Sequence, residues 1–289
     1  DSGIRSSSYV EGPPTPIDMW TGSGMTIAGN TFSGNLYDIV SKYPLSELVL
    51  SGSNVLNGKT LSTQTTNELY ATSDKISDKV DVTAYGLART KAANVYVTSS
   101  NTVANGIAAA SAGDTVNVQD GATLVLTTEI TKTITFSGNF TITSSNIPTD
   151  STATAVLSSF TSRKGSSVLS VNVTGMNANQ VAAVAANQSS FTNVSGGTYY
   201  YPDADNDTYG SAIATPVYAP TALSSGLTNA TTNHTDCNDA LASAHVVIDY
   251  YADADGDSIG VNPGVGFCLG SAPSGYVGGL ASANQDNCP

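Results

Sequence analysis

Gly113-Asp114-Thr115-Val116-Asn117-Val118-Gln119-Asp120-Gly121, followed a few residues later by Glu129-Ile130-Thr131-Lys132-Thr133-Ile134-Thr135-Phe136-Ser137-Gly138-Asn139, decides how the body of this chain is built. Val116 and Val118 alternate with polar neighbours, and Ile130, Ile134, Phe136, Phe140 and Ile142 do the same in a broken period of two. Successive side chains of a strand point to opposite faces, so this spacing predicts short strands with one buried face. Asp120-Gly121 is the turn between them.

Outward from that stretch the composition stays the same. Ser, Thr, Asn, Gly and Ala dominate, charged residues are 11% of the chain, and there is one Trp. Thr and Val favour pleated, half-buried surfaces, and Asn and Gly favour the turns between short strands. Glu47–Leu50, Asn94–Val97 and Val168–Val173 read as further strands, and Thr63–Val80 and Asn177–Asn187 as short helices. The expected fold is mainly β: a small β-solenoid or β-sandwich body with short helices, followed by Asp-rich calcium-loop repeats. The organisation read from this is an N-terminal arm over 1–20, a β-rich body over 21–198, and two repeats over 199–248 and 249–289.

Residues 101–142 resemble the opening coil of a right-handed parallel β-helix. The resemblance implies a short capping helix at Val103–Ser111 ahead of Gly-Asp-Thr-Val, then brief strands stacked every roughly 20 to 25 residues. No further coil of the same register is visible in the sequence, so the sandwich stays open as an alternative.

The second informative feature is an acidic pattern that occurs twice, 50 residues apart: Tyr-Tyr-Pro-Asp-Ala-Asp-Asn-Asp-Thr-Tyr-Gly at 200–210 and Tyr-Tyr-Ala-Asp-Ala-Asp-Gly-Asp-Ser-Ile-Gly at 250–260. A tight loop can turn Asp203, Asp205 and Asp207 inward together, and likewise Asp253, Asp255 and Asp257. Hard oxygens converging in this way suit Ca²⁺, and without a cation the carboxylates repel one another. An EF-hand is excluded, because Ala214 and Gly264 stand where its twelfth-position Glu would be.

These copies resemble the metal-binding repeats of bacterial surface proteins, in which a Tyr-x-Asp-x-Asp-Gly-Asp-Gly-Tyr-Gly loop is followed by a Cys, a Pro-x-Gly-Tyr-Val stretch and an Asp-Cys-Asp-Asp end. Copy two supplies Cys268, Pro273-Ser274-Gly275-Tyr276-Val277 and Asp286-Asn287-Cys288; copy one supplies Asp236-Cys237-Asn238-Asp239. Thrombospondin type 3 repeats are a looser match. The resemblance implies that Asp236, Asp239 and Asp286 join the loop carboxylates as metal ligands and that Cys268 pairs with Cys288. Such a bridge contributes on the order of 3 kcal/mol. Cys237 is then odd, either buried and inert or open to a partner, with burial favoured.

Charge sharpens the contrast between the two parts. Residues 1–198 hold 13 acidic and 10 basic side chains, whereas 199–289 hold 10 Asp and no Lys, Arg or Glu. A segment with no basic side chain cannot neutralise its own carboxylates, so divalent cations are its expected partners and nucleic acid is excluded. No stretch of about 18 apolar residues crosses a membrane. The calcium loops and the cysteine pairing point to a secreted or cell-surface, extracellular location, with the given sequence a mature or trimmed form of a longer parent.

Catalytic groups are sparse. His234 and His245 lie in the acidic part without a nucleophile motif and read as satisfied or solvent-facing, with an accessory metal-ligand role as the alternative. No Glu pair is placed for glycoside hydrolysis, and nothing around Arg89 or Arg163 marks a lyase base. The Asn-x-Ser/Thr sequences follow from composition. The expectation is therefore a non-enzymatic, exported structural or adhesive protein, a filament subunit among the forms considered, rigidified by Ca²⁺. Its partners would be further copies of itself in a filament or other surface assembly, with a glycan or host surface also considered. The alternative is a secreted carbohydrate-binding or polysaccharide-degrading β-helix protein on a calcium-binding stalk.

Overall fold

The computed structural model of the protein describes residues 17–18, 27–42, 47–125, 129–165 and 167–278. The chain is mainly strands with a few short helices, divided into two compact units. Residues 1–172 with 186–195 make the first, and residues 173–185 with 196–289 the second.

The first unit opens with strands β1 (Ile17–Asp18), β2 (Ile39–Val40) and β3 (Glu47–Val49), the paired β4 (Val55–Leu56) and β5 (Lys59–Thr60), helix α1 (Thr66–Ser73), β6 (Ile76–Ser77) and β7 (Leu87–Arg89). Strands β1, β2 and β6 form one parallel sheet, and β3 and β7 another. Within the arm expected over 1–20, Ile17 and Asp18 are thus paired by their backbone to β2. Helix α1 occupies only the first half of the Thr63–Val80 segment. Thr65 and Glu68 close a reciprocal capping box at its start, and the chain then leaves the helix so that Ile76 can pair with Ile39 in the sheet.

Next come β8 (Asn94–Val97), helix α2 (Val103–Ala109), β9 (Thr115–Val118) and β10 (Thr135–Gly138). The three strands are parallel and in register, so that Val95, Val116 and Phe136 stack in a buried column. The next inward column is Val97, Val118 and Gly138. Gly138 has φ +112°, and a Cβ there would lie 1.9 Å from the Val118 carbonyl oxygen, so only glycine admits this close approach. Thr102 caps α2 by accepting from the Asn105 N–H at 3.2 Å, and Gly106 lets the helix settle against Val97. Parallel pairs precede α2, and it connects β8 to β9 within one ladder. It is a connection inside the stack rather than the cap at its opening that the resemblance implied.

A second parallel ladder follows, β11 (Phe140–Ile142), β12 (Leu169–Asn172) and β13 (Asn193–Ser195), with helix α3 (Ala153–Ser158) between the first two. Phe136, Phe140 and Phe160 meet in its core with ring centroids 5.3–6.1 Å apart. Arg89 is buried in this unit: its Nε donates to Glu47 Oε1 at 2.6 Å, Nη2 to Asp114 Oδ2 at 2.7 Å and Nη1 to the Asn94 carbonyl at 3.1 Å.

The second unit contains most of helix α4 (Ala178–Ala186), whose first turn is held by reciprocal bonds of 3.0 Å between Asn177 and Gln180. Two antiparallel arrangements follow. β14 (Thr198–Tyr200) pairs with β15 (Val217–Ala219), and β16 (Ile248–Ala252) lies between β17 (Val261–Phe267) and β18 (Tyr276–Gly278). Each hairpin carries one Asp-rich loop at its turn. The pairs Tyr200–Val217 and Tyr250–Val265 show that the second hairpin is two residues shorter, so the 50-residue offset of the sequence does not carry through to β15 and β17.

Candidate metal centre

Both loops fold by the same local rule. In the first, Asp203 accepts from the backbone N–H of Asp207 at 3.2 Å and of Thr208 at 3.0 Å, and Asp207 Oδ1 accepts from Tyr209 N–H at 2.8 Å. In the second, Asp253 accepts from Gly256 N–H at 2.8 Å and Ser258 N–H at 3.1 Å, and Asp257 Oδ1 accepts from Ile259 N–H at 2.8 Å. The carboxylates thus nucleate their own turns. Asn206 and Gly256 occupy the same left-handed position, φ +66° and +81°, and Thr208 and Ser258 share a second one at +75° and +72°. Asn tolerates this conformation, so the exchange of the turn glycine for Asn206 leaves the loop intact.

Closure behind each loop depends on a glycine. A Cβ at Gly210 would lie 2.7 Å from the Asn233 carbonyl oxygen, and one at Gly260 would lie 2.3 Å from Tyr251 Cβ. Because Gly210 admits that approach, the segment 231–236 can run alongside the loop. Gly210 donates to Asn233 O at 3.0 Å, and Asp236 N–H donates to Gly210 O at 3.0 Å. Asp236 and Asp239 are brought to the first loop in this way, more than 25 residues after it in the chain.

Three groups of carboxylates have oxygens within 4.8 Å of one another: Asp203, Asp205 and Asp239; Asp205, Asp207 and Asp236; and Asp253, Asp255 and Asp257. Each group could hold a metal ion. Eight of the nine residues expected as metal ligands therefore fall into clusters, and the ninth, Asp286, lies outside the described residues. The first loop is the more enclosed. Asp203 is 5% exposed and Asp236 2%, whereas Asp255 and Asp257 are exposed. Both Asp205 oxygens and Oδ2 of Asp236 are buried without a hydrogen-bond partner. Burial and the neighbouring Asp207, Asp236 and Asp203 carboxylates hold Asp205 above the usual carboxylate range. A cation there relieves both effects.

His245, expected to be satisfied or solvent-facing with an accessory metal-ligand role as the alternative, lies at the first loop. Its ring stacks on Tyr209 with centroids 4.2 Å apart, and Nδ1 lies 3.2 Å from Asp207 Oδ2 without the directionality of a hydrogen bond. His234 stacks likewise on Tyr201. Nothing in the linear spacing signals either contact.

The cysteine pairing is a correction. Cys268 is bonded to Cys237, with Cα atoms 5.9 Å apart, and not to Cys288, which lies outside the described residues. Cys237 is accordingly not odd. A disulfide needs close Cα atoms, and the turns over 238–247 fold the end of the first repeat back onto the end of β17. Both sulfurs lie against the Ala244 carbonyl oxygen, 3.1 and 3.0 Å away. The bridge thus joins the two repeats instead of closing the second.

Among the described residues no helix is long and apolar enough to cross a membrane. Comparison with protein-family models, with curated proteins and with solved structures gave no match, so the geometry above is what bears on function.

Proposed function

We propose that this chain is a structural or adhesive module of an exported surface protein, with a β-solenoid body and a calcium-stiffened pair of repeats. The observation that carries this reading is the set of Asp clusters in a segment without Lys or Arg. All of the clustered donors are carboxylate oxygens, the donor class that Ca²⁺ prefers. A disulfide in the same segment is compatible with an oxidising compartment. Parallel ladders whose strands recur at short intervals support the solenoid body.

Self-association uses strand β17 in this reading. Among the described residues it is an edge strand with Val261 and Val265 exposed, and an edge is where a neighbouring copy can add a strand. Electron microscopy of the purified protein with Ca²⁺ and after EGTA tests the proposal. Ordered filaments that loosen on chelation agree with it. Monodisperse particles under both conditions would remove the filament and leave a soluble adhesive module.

One observation favours a second reading. An open groove of about 650 Å³ in the first unit is lined by Asp120, Asn139, Thr141, Ser145 and Ser170 beside Phe140. Polar groups beside an apolar floor suit a sugar. A glycan array followed by calorimetry decides, and no retained glycan would dismiss this alternative.

A further inference from the structure

We infer that the first repeat binds two divalent cations that share Asp205, whereas the second loop, as far as it is described, binds one. This inference rests on the calcium reading above and adds the number and arrangement of the ions. Asp205 belongs to two carboxylate groups at once, with Asp203 and Asp239 on one side and with Asp207 and Asp236 on the other. Asp253, Asp255 and Asp257 form a single group.

Charge counting favours two ions over one. Five carboxylates converge in the first repeat, and no Lys or Arg lies anywhere in 199–289. One divalent cation leaves three negative charges in a largely enclosed site, and two leave a single one. The three loop carboxylates of the second repeat reach the same residual charge with one ion.

Donor inventory points the same way. The backbone N–H groups of Asp207, Thr208, Ala204 and Asn238 occupy oxygens of Asp203, Asp239 and Asp236, which fixes these side chains. What is left over is both oxygens of Asp205, Oδ2 of Asp207 and Oδ2 of Asp236, all buried and unpartnered, and Asp236 itself is 98% buried. A buried carboxylate oxygen without a donor needs a cation, and a carboxylate with two such oxygens can offer one to each neighbouring ion. Carboxylate-bridged ions typically sit about 3.5–4 Å apart.

The experiment counts Ca²⁺ bound to the full, disulfide-intact chain by equilibrium dialysis after stripping with chelator. The variants are Asp239→Asn, Asp236→Asn, the two combined, and Asp205→Asn. Each single change at 239 or 236 is expected to lose one ion relative to the parent, and the double change and Asp205→Asn to lose two. If the double change and Asp205→Asn each lose only one, the shared site is wrong while the calcium reading stands. If the parent binds no Ca²⁺ at millimolar concentration, both fail.

Loss of folding in the Asp236 variant, read by circular dichroism, is covered by a measurement on protein with this repeat unaltered. Chain carrying Asp255→Asn and Asp257→Asn is loaded with mixed Tb³⁺ and Eu³⁺. A shortened Tb³⁺ lifetime component, from transfer to Eu³⁺ in the pairs that hold one ion of each kind, is expected from ions sharing one carboxylate, and an unshortened Tb³⁺ lifetime would overturn the inference.

Discussion

His245 lies flat on Tyr209, centroids 4.2 Å apart and planes within 10°, so that a residue just ahead of the second hairpin clamps the Asp-rich loop of the first. Tyr209 follows Thr208, one of the loop's left-handed positions, and its N–H is bonded to Asp207. The stack therefore holds the backbone that aims Asp207.

Removing that ring should loosen the loop. A stacked aromatic pair is worth about 1 kcal/mol beyond its buried area, so His245→Ala is expected to weaken Ca²⁺ binding at the first repeat by about fivefold. His245→Phe keeps the stack and should bind like the parent. Calorimetric titration separates them. Equal weakening in both would mean that the imidazole nitrogen, and not the stack, supports the site.

Reduction of Cys237–Cys268 should act on both repeats. The bridge closes a separation of 31 residues, which corresponds to about 3–4 kcal/mol in the chain-entropy account. Because Asp236 is the neighbour of Cys237, the first repeat should also lose Ca²⁺ affinity when the bond is cut. Peptide mapping of unreduced protein should recover Cys237 joined to Cys268. A Cys268–Cys288 peptide in its place would refute the fold of this segment.

Within the first unit, Arg89 separates a strong ion pair from a weak one. Asp114 is 4% exposed, whereas the Glu47 side chain is 49% exposed. Arg89→Met leaves the Asp114 carboxylate buried without its partner and should cost about 3–5 kcal/mol. Glu47→Gln removes a half-exposed partner and should cost less than about 1 kcal/mol. Urea unfolding of the two variants checks the ranking, and equal costs would show that burial does not set the strength of these pairs.

Asp78 should make the same unit pH-dependent. Burial pushes its carboxyl up to about 7, against the hydrogen bonds it accepts from Ala88 N–H and Val80 N–H. Since its folded value lies above the ordinary one, the folded state holds the proton more tightly between roughly pH 4 and pH 7. Stability is then greatest at the acid end and is lost as pH rises through that window, by up to about 1.4 kcal/mol per pH unit. Above that range the contribution is flat. Denaturation at pH 4.5, 6 and 8 should show this slope in the parent and its absence in Asp78→Asn; the same slope in both would remove the assignment.

Local signals were legible where a short run of residues sets its own geometry. The alternation at Val116 and Val118 marks a strand, and the short helix α4 lies inside the segment read as helical, whereas α2 lies inside a segment that only the family resemblance marked as helical. The paired Asp loops make their turns with hydrogen bonds spanning two to five residues. Thr63–Val80 was legible only in part, because Ile76 gains more from the sheet than from extending α1. The stacking of β8, β9 and β10 was not legible beyond one coil, since parallel pairing leaves no turn motif that names its partner.

What the sequence by itself determined, then, is the acidic character of 199–289, the identity of the carboxylates and the period of the strands, all of which follow from residue type and near-neighbour spacing. The tertiary structure alone decided three contacts: Asp236 and Asp239 beside the first loop through Gly210, His245 on Tyr209, and Cys237 bonded to Cys268. Each joins residues 26 to 36 positions apart, and such contacts depend on how the chain between them folds back, which close packing of the whole unit sets and local sequence does not encode.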